Sequence, residues 1–392
     1  MRRSDRIWNA LAALYALDRV LKVGAVERFF HPSPLPAPTD WPTVTLLQPI
    51  TRGAADLERA LDARARLDYP APVQHLLVCD ANDAESQASV SQFRRAHPHL
   101  AAEMIIVGGR DAGPALKTVK LQAGLAHATC EVICCVDDDV ILRPESLRTL
   151  VAPLLQQPRV GATFGLACYV GWDNLPSSLM SAFVNANALL SYVPLTFMAE
   201  PFTITGHCFA LCRATLDAVG GFTGLEDRID DDHDLAQRVR AVGLHNVQTA
   251  LVYDVVNVLP SLRAYRVQFK RWFIFPREAL LPYLSSREKL VSMVGSVGNL
   301  LPAMLLMAAL LTRGQAATRA ALTCLMVFGG VYAWCERRYL RRTTPLKRWL
   351  VLPFVAWVAP WQIVSTLLGD SEIEWRGQRL RITRGGGCEV IR

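Results

Sequence analysis

Lysine is scarce in this sequence: only six of the 42 basic residues are lysine, and the rest are arginine. The net charge is +7 at pH 7, yet the basic residues are dispersed and form no continuous stripe interleaved with aromatic residues. Because nucleic-acid-binding surfaces show such a stripe, the sequence predicts no nucleic-acid partner. The one basic run, Arg337 to Arg348, lies between two hydrophobic stretches, as membrane-topology signals do.

A paired cysteine framework is also missing, although the chain has ten cysteines. Cys134 and Cys135 are adjacent inside an apolar run, and Cys208 and Cys212 have no matching second pair. Zinc sites need tighter ligand spacing than this. The cysteines are therefore expected to be buried free thiols in a reducing compartment.

The N-terminal segment has neither a small-residue cleavage site nor an apolar stretch long enough to cross a membrane, since charged residues follow Ile7–Leu17. The pattern instead indicates a helix that lies at the lipid surface, and a short anchor or a frayed helix is the alternative. The residues expected on its lipid-facing side are Trp8, Leu11, Tyr15 and Leu21. Residues 1–40 are thus predicted to form an interfacial helix and a proline-rich linker, which cannot continue the helix.

Strand-like and helix-like patterns alternate in residues 41–285, which we interpret as one domain. The alternating pairs are Thr43–Gln48 with Ala54–Leu67, Val73–Cys79 with Glu85–Ala96, Glu103–Val107 with Lys117–Ala128, and Glu131–Val136 with Pro144–Gln156. This alternation predicts an α/β fold with a mostly parallel sheet covered on both faces. Catalytic residues of such folds lie where strands end and loops begin.

Three uncharged hydrophobic stretches follow in residues 286–369. They are Leu290–Thr312 with 23 residues, Ala320–Cys335 with 16 and Trp349–Gly369 with 21. The first and last are long enough to span a membrane, and the middle one is marginal. Buried helices of a soluble protein are the less favoured interpretation.

The loop Glu336–Arg348 carries six basic residues and one acid, which predicts that it is cytoplasmic. Tracing back over two spans places the domain before Leu290 in the cytoplasm as well. The tail, residues 370–392, would lie outside if all three stretches span the membrane.

Three consecutive carboxylates, Asp137 to Asp139, directly follow the predicted strand Glu131–Val136. They repel one another unless a cation lies among them. On an extended chain Asp137 and Asp139 point the same way and can hold Mg²⁺ or Mn²⁺ together with nucleotide phosphates. The alternative is a solvated acidic turn.

A second acidic group opens a predicted helix that Gly243 closes. Its members are Asp230, Asp231, Asp232 and Asp234. Acids at a helix N-terminus are ordinary capping residues, but four in five positions exceed what a cap requires. Because neighbouring negative charges raise the pKa of a carboxyl group, this cluster suits a general base.

A third candidate is the run Gln268-Phe269-Lys270-Arg271-Trp272. The planar fork of Arg271 suits a diphosphate leaving group, and Trp272 can wall an acceptor pocket. The alternative is an interfacial helix whose Arg and Trp contact lipid head groups.

In order along the chain, Asp83, the Asp-x-Asp of Asp137 and Asp139, Asp232 and the QxxRW of 268–272 resemble the D, D, D, Q/RxxRW signature of inverting glycosyltransferases. Flanking residues such as Thr205-Gly206 are similar to ceramide glucosyltransferase and related bacterial lipid glycosyltransferases. The similarity spans residues 43–272. It implies a GT-A (Rossmann-like) fold, a UDP-sugar donor, a membrane-lipid acceptor and a bacterial inner-membrane location.

The resemblance also implies roles for individual residues. Asp83 would contact the uracil or ribose, Asp137 and Asp139 would bind metal and diphosphate, and Asp232 would be the catalytic base, with Asp231 beside it.

Gln268 and Arg271 would bind the donor diphosphate, and Trp272 would shape the acceptor entrance. Lys117 matches a donor-binding lysine of the family. The asparagine that precedes this lysine in the family is absent here, and Gln48-Pro49-Ile50 replaces the family's Lys-Pro-Leu. A full N-terminal span is also not evident.

The expected activity is therefore inverting transfer of a sugar, with glucose favoured, from a UDP-sugar to a lipid hydroxyl such as that of ceramide. Diacylglycerol or a polycyclic alcohol are alternative acceptors. A processive polysaccharide synthase shares the signature but would need more spans to form a polymer channel. A non-enzymatic membrane protein with an acidic cytoplasmic domain would leave the ordered motifs unexplained.

Overall fold

The computed structural model describes residues 3–32, 38–51, 53–54, 56–108, 116–226, 228, 230–375 and 378–391. The chain divides into two compact units. We call residues 33–170, 200–258 and 374–392 the sheet unit. Residues 1–32, 171–199 and 259–373 form the helical unit.

The strands of the chain are β1 (Val44–Pro49), β2 (Val73–Asp80), β3 (Ala101–Val107), β4 (Val132–Val136), β5 (Val140–Ile141), β6 (Val160–Tyr169), β7 (Cys208–Cys212), β8 (His245–Val255), β9 (Glu372–Trp375), β10 (Gln378–Ile382) and β11 (Cys388–Val390). The α-helices are α1 (Arg3–Phe30), α2 (Leu57–Arg64), α3 (Ala84–Ala96), α4 (Leu116–Leu125), α5 (Ser146–Gln156), α6 (Leu175–Asn187), α7 (Val193–Leu195), α8 (Arg213–Ala218), α9 (Asp231–Ala241), α10 (Leu262–Phe275), α11 (Ser286–Val297), α12 (Leu301–Thr312), α13 (Gln315–Cys335), α14 (Val351–Trp357) and α15 (Ala359–Leu368). Short π or 3₁₀ turns, at 188–192, 276–280, 298–300, 336–340 and 346–348, connect several of them.

The sheet unit is built on one eight-stranded sheet with the order β3-β2-β1-β4-β7-β6-β8-β5. Strands β3, β2, β1 and β4 run parallel, as the strand–helix alternation predicts. Strand β7 is antiparallel to both β4 and β6, whereas β6 and β8 are parallel. Strands β1 and β4 are completely buried, so apolar side chains cover both faces of the sheet centre. The predicted mostly parallel α/β fold is confirmed.

The helical unit contains two helices that are long and apolar enough to cross a membrane, among the residues that the structure describes. They are Ser286–Thr312 and Gln315–Leu340, with 27 and 26 residues. The second extends the marginal predicted stretch at both ends. The last hydrophobic stretch is not a straight helix, because Leu346–Trp357 and Ala359–Leu368 meet at a 45° bend.

Helix α1 buries one face and exposes another. Tyr15 and Val26 are buried, and Lys22 donates a 2.8 Å hydrogen bond to the carbonyl of Gly295 in the same unit. Leu14 and Leu21 are exposed. The residues predicted to face the lipid therefore do not share one exposed face. Leu21 is exposed, whereas Tyr15 packs inside the helical unit.

Candidate active site

The three consecutive aspartates form a turn between β4 and β5, at the carboxyl end of a buried strand. The backbone amide of Asp137 donates to the carbonyl of His207 at 2.9 Å, and the side chain of Gln48 donates to the carbonyl of Asp137 at 2.9 Å. The backbone amide of Thr51 donates to a carboxylate oxygen of Asp138. These contacts from β1 and the β7 side fix the turn at the sheet edge, where the strand pattern predicted it.

In this turn, one carboxylate oxygen of Asp139 receives no hydrogen bond from the described residues. This oxygen, Oδ1, is buried. Burial, with the neighbouring charges of Asp137 and Asp138, raises the pKa of Asp139 to about 8. Burial also raises the pKa of Asp138 to about 6. A cation near Asp139 would relieve this desolvation, so the residues fit a divalent metal.

The protein alone does not complete a metal cage in the part of the chain that the structure describes, since no three His, Cys, Asp or Glu side chains converge. Mg²⁺ binds through one or two carboxylates plus substrate phosphates. Asp137 and Asp139 would therefore supply the protein part of the site, and donor phosphates the rest.

Lys117, near the start of α4, joins the two acidic groups of the sequence. Its ammonium lies 2.7 Å from Oδ1 of Asp137 and 4.0 Å from Oδ2 of Asp231, and it donates to the carbonyl of Gly206 at 3.0 Å. Burial alone would lower its pKa, but the carboxylates of Asp137 and Asp231 hold the pKa of Lys117 above its ordinary value. A fixed positive charge therefore lies between the aspartate turn and α9.

Asp232 is oriented by backbone amides on both oxygens. Gly206 donates to its Oδ2 at 3.0 Å and His233 donates to its Oδ1 at 2.8 Å. A Cβ at position 206 would lie 2.9 Å from Oδ2, so any residue other than glycine would push the Asp232 carboxylate out of this position. Burial, reinforced by the negative charge of Asp231, raises the pKa of Asp232 to about 7. This carboxyl group can accept and release a proton near neutral pH.

Asp83 is the residue predicted to contact the uracil or ribose of the donor. It caps α3 by accepting a hydrogen bond from the amide of Ser86 at 3.3 Å. Its Oδ2 is buried without a hydrogen-bond partner among the described residues. A nucleotide hydroxyl or N–H would satisfy that oxygen, which agrees chemically with the predicted contact.

A buried ion pair lies beside Asp83, and the sequence pattern did not single it out. Lys120 contacts Asp80 at 2.9 Å and donates to the carbonyl of Ile50 at 2.5 Å. Its only sequence signal is the position three residues after Lys117 on the same helix face. The pair connects the ends of β1 and β2 to α4.

The QxxRW residues lie on α10 of the helical unit. The hydroxyl of Ser261 caps this helix by accepting from the amide of Ala264 at 3.1 Å. Gln268, Arg271 and Trp272 are half-buried and occupy one face, as residues three and four positions apart do.

Gly206 and Arg228 are site residues whose roles the sequence did not reveal. The sequence signal for Gly206 is limited to its place in the Thr205-Gly206 pair, which precedes the second acidic group. Arg228 contacts both Asp230 and Asp234, at 2.8 and 3.3 Å, at the start of α9.

A model of the family described as Glycosyl transferase family 21 matches residues 7–388. The chain is also similar to Probable glycosyltransferase YdaM of Bacillus subtilis (strain 168), with 24% identity over 213 residues. This match covers 52% of the chain and 48% of the relative, so the chain spans about half the length of the curated relative.

Among solved structures, mannosyltransferase PcManGT from Pyrobaculum calidifontis, in complex with GDP-Man and Mn²⁺, has 20% identity and a TM-score of 0.50. The alignment covers 85% of this chain and 99% of the mannosyltransferase. Glucosyl-3-phosphoglycerate synthase from Mycobacterium tuberculosis, in complex with phosphoglyceric acid, aligns over 59% of this chain and 79% of its own, with 14% identity and a TM-score of 0.37. The likeness to the mannosyltransferase confirms the predicted GT-A fold.

Proposed function

The chain belongs to glycosyl transferase family 21, and we propose that it is a glycosyltransferase that transfers glucose from UDP-glucose to the hydroxyl of a membrane lipid such as ceramide. The family contains ceramide glucosyltransferases, which supports this choice of acceptor. The hydrophobic helices of the helical unit support a lipid rather than a soluble acceptor.

The observation that carries the proposal is the meeting of two distant acidic motifs around one lysine. Lys117 contacts Asp137 on one side and Asp231 on the other, and it shares Gly206 with Asp232. A glycosyltransferase needs a donor-phosphate site and a proton acceptor close to one sugar carbon. These contacts support the assignment of both tasks to residues around Lys117.

In the proposed reaction, the acceptor hydroxyl attacks the anomeric carbon from the face opposite UDP. The new C–O bond forms as the bond to the phosphate oxygen breaks, which inverts the configuration. Asp232 takes the hydroxyl proton, and Gly206 and His233 hold its carboxylate in place. Proton transfer to a positioned base contributes about 10²–10⁴-fold.

Lys117 offsets negative charge on the departing diphosphate, since its pKa keeps it protonated. Asp137 and Asp139 would hold Mg²⁺ or Mn²⁺, which supplies further charge stabilisation to the diphosphate when bound. The Mn²⁺ in the complex of the Pyrobaculum mannosyltransferase supports a metal at such a site. Asp83 would bind the uracil or ribose.

The face of α10 that carries Gln268, Arg271 and Trp272 would contribute to substrate binding. A guanidinium binds diphosphate oxygens through parallel hydrogen bonds, which suits Arg271 with Gln268 beside it. Trp272 would contact the lipid acceptor.

The C-terminal tail bears on membrane orientation. Residues 374–391 belong to the sheet unit, and Gly385 accepts a hydrogen bond from Arg228 at 2.7 Å. A chain that leaves and re-enters one folded unit crosses the membrane an even number of times. We therefore propose two crossings, by Ser286–Thr312 and Gln315–Leu340, and a bent pair, Leu346–Leu368, that does not span. The tail would then be cytoplasmic with the catalytic residues, not outside as three spans require.

The function is tested by incubating membranes that contain the protein with radiolabelled UDP-glucose and ceramide, then separating lipid extract from insoluble material. Label in a ceramide glycolipid is the expected result. Label in insoluble polymer would favour the processive synthase, and no transfer with any nucleotide-sugar would contradict the enzyme proposal.

A further inference from the structure

The C-terminal tail contains a glycine turn that contacts the start of α9. Strands β10 and β11 pair antiparallel, with Leu380 opposite Val390 and Ile382 opposite Cys388. Leu380 and Ile382 are buried, so the hairpin is anchored in the sheet unit. Its turn carries three consecutive glycines, Gly385–Gly387, and the first two have φ of 99° and 88°.

Arg228 connects this turn to the acidic cluster. Its guanidinium donates to Oδ2 of Asp230 at 2.8 Å and to the carbonyl of Gly385 at 2.7 Å. Its backbone also forms an isolated antiparallel bridge with Gly387. A planar guanidinium can hold a carboxylate and a carbonyl at once, which a lysine ammonium does less rigidly.

Gly386 lies directly against the Asp230 carboxylate. A Cβ at position 386 would overlap all three carboxyl atoms of Asp230, and the positive φ of Gly386 would strain any other residue. Asp230 is 1% exposed, and its carbonyl accepts from the amide of Asp234 at 2.9 Å in the first turn of α9. The position of Asp230 therefore depends on the absence of a side chain at 386.

We propose that the C-terminal glycine turn positions the catalytic carboxylates, with Gly386 and Arg228 as the positioning residues. Asp230 is the residue immediately before Asp231 and Asp232, so a displacement of Asp230 moves the backbone that carries the base. The tail thus acts through Asp230 on the direction of the Asp232 carboxylate. This inference rests on the proposed function, in which Asp232 is the base.

The test is Gly386→Ala in the full-length protein in ceramide-containing nanodiscs, with radiolabelled UDP-glucose as donor. Because a misplacement of about 1 Å can cost 10²-fold, we expect kcat to fall about 10–100-fold. The KM for UDP-glucose should change less than about twofold, since donor binding uses other residues.

Gly243→Ala is the matched control. Gly243 lies just beyond the opposite end of α9 and has φ of +79°, but an added Cβ would meet only an Arg159 nitrogen at 3.6 Å. Like Gly386→Ala, the Gly243→Ala variant strains a backbone with positive φ, but its Cβ does not press on Asp230. Its kcat should therefore stay near that of the native protein. Equal kcat values for the two alanine variants would overturn the proposal.

A double-mutant cycle distinguishes positioning from general damage. In an Asp232→Asn background, Gly386→Ala should have little further effect, because the base it positions is already absent. An undiminished additional loss would contradict the proposal. If Gly386→Ala does not fold, Arg228→Lys should show the same loss of kcat with donor KM retained, and native kcat in that variant would overturn it. Full kcat in Asp232→Asn alone would instead refute the base assignment of the proposed function.

Discussion

The ammonium of Lys117 lies 2.7 Å from Oδ1 of Asp137, and this ion pair joins α4 to the aspartate turn after β4. Lys117→Met removes a charge-assisted hydrogen bond and deprives the carboxylates of Asp137 and Asp231 of the positive charge that they share. A hydrogen bond to a charged group contributes about 1.5–3 kcal/mol, so kcat/KM for UDP-glucose should fall by about 10–100-fold. Steady-state kinetics would measure this.

Lys120→Met is the matched comparison on the same helix. Lys120 pairs with Asp80 in the interior, and both side chains are buried. Breaking a buried pair costs about 3–5 kcal/mol, so this variant should lose thermal stability. A Lys117→Met variant that loses stability as much as Lys120→Met but keeps kcat/KM would contradict the donor role of Lys117.

Metal dependence is the second prediction. Because Asp139 Oδ1 is buried without a hydrogen-bond partner among the described residues, a divalent cation fits there. EDTA should abolish transfer, and Mg²⁺ or Mn²⁺ should restore it. Isothermal titration should also show that UDP binds Asp137→Asn more weakly than the native protein in Mn²⁺. Full activity in chelator would refute this site.

The third prediction concerns pH. Burial and Asp231 raise the pKa of Asp232 to about 7, and a general base works only when it is deprotonated. Activity should therefore level off above about pH 7 and decrease about tenfold per pH unit below it. The kcat/KM profile of the native protein should show this acidic limb, and residual activity in Asp232→Asn should not. An identical limb in Asp232→Asn would assign it to another group.

Much of the fold was predictable because β1 to β4 are apolar runs, each followed by a helical pattern. Strands β6 and β8 were not predicted, and β8 has polar residues in its interior. The side chain of Asn246, for example, is buried because it donates to the carbonyl of Ala236 at 3.1 Å. Hydrogen bonds of this kind allow polar side chains to be buried within a strand. The hydropathy pattern used to predict strands is then lost.

The site was partly predictable for a similar reason. Clustered carboxylates stand out in a sequence, and their order resembles the glycosyltransferase signature. The approach of Gly206 to Asp232 and of Gly386 to Asp230 depends on contacts between distant segments. A glycine carries no local sign of the side chain that packs against its Cα, so only the three-dimensional structure reveals these contacts.

The fourth prediction is the membrane topology. Epitope tags at the C-terminus and beside Arg341 should be accessible on the same face of sealed vesicles, and a tag at Gly314 on the other face. Two crossings require this result, because Gly314 lies between the two candidate spans. A C-terminal tag on the face opposite the Arg341 tag would show that the bent pair spans the membrane.

The assignment of Asp232 as the base is the central claim, and kcat of Asp232→Asn tests it most directly. Asparagine keeps the size of the side chain and one of its two accepting oxygens, so it retains only one of the hydrogen bonds from Gly206 and His233, and it cannot accept the proton. We expect kcat to fall by about 10²–10⁴-fold while UDP-glucose binding changes little. Asp231→Asn is the internal control and should retain more activity. Near-native kcat in Asp232→Asn, with Asp231→Asn inactive, would contradict the account and make Asp231 the base.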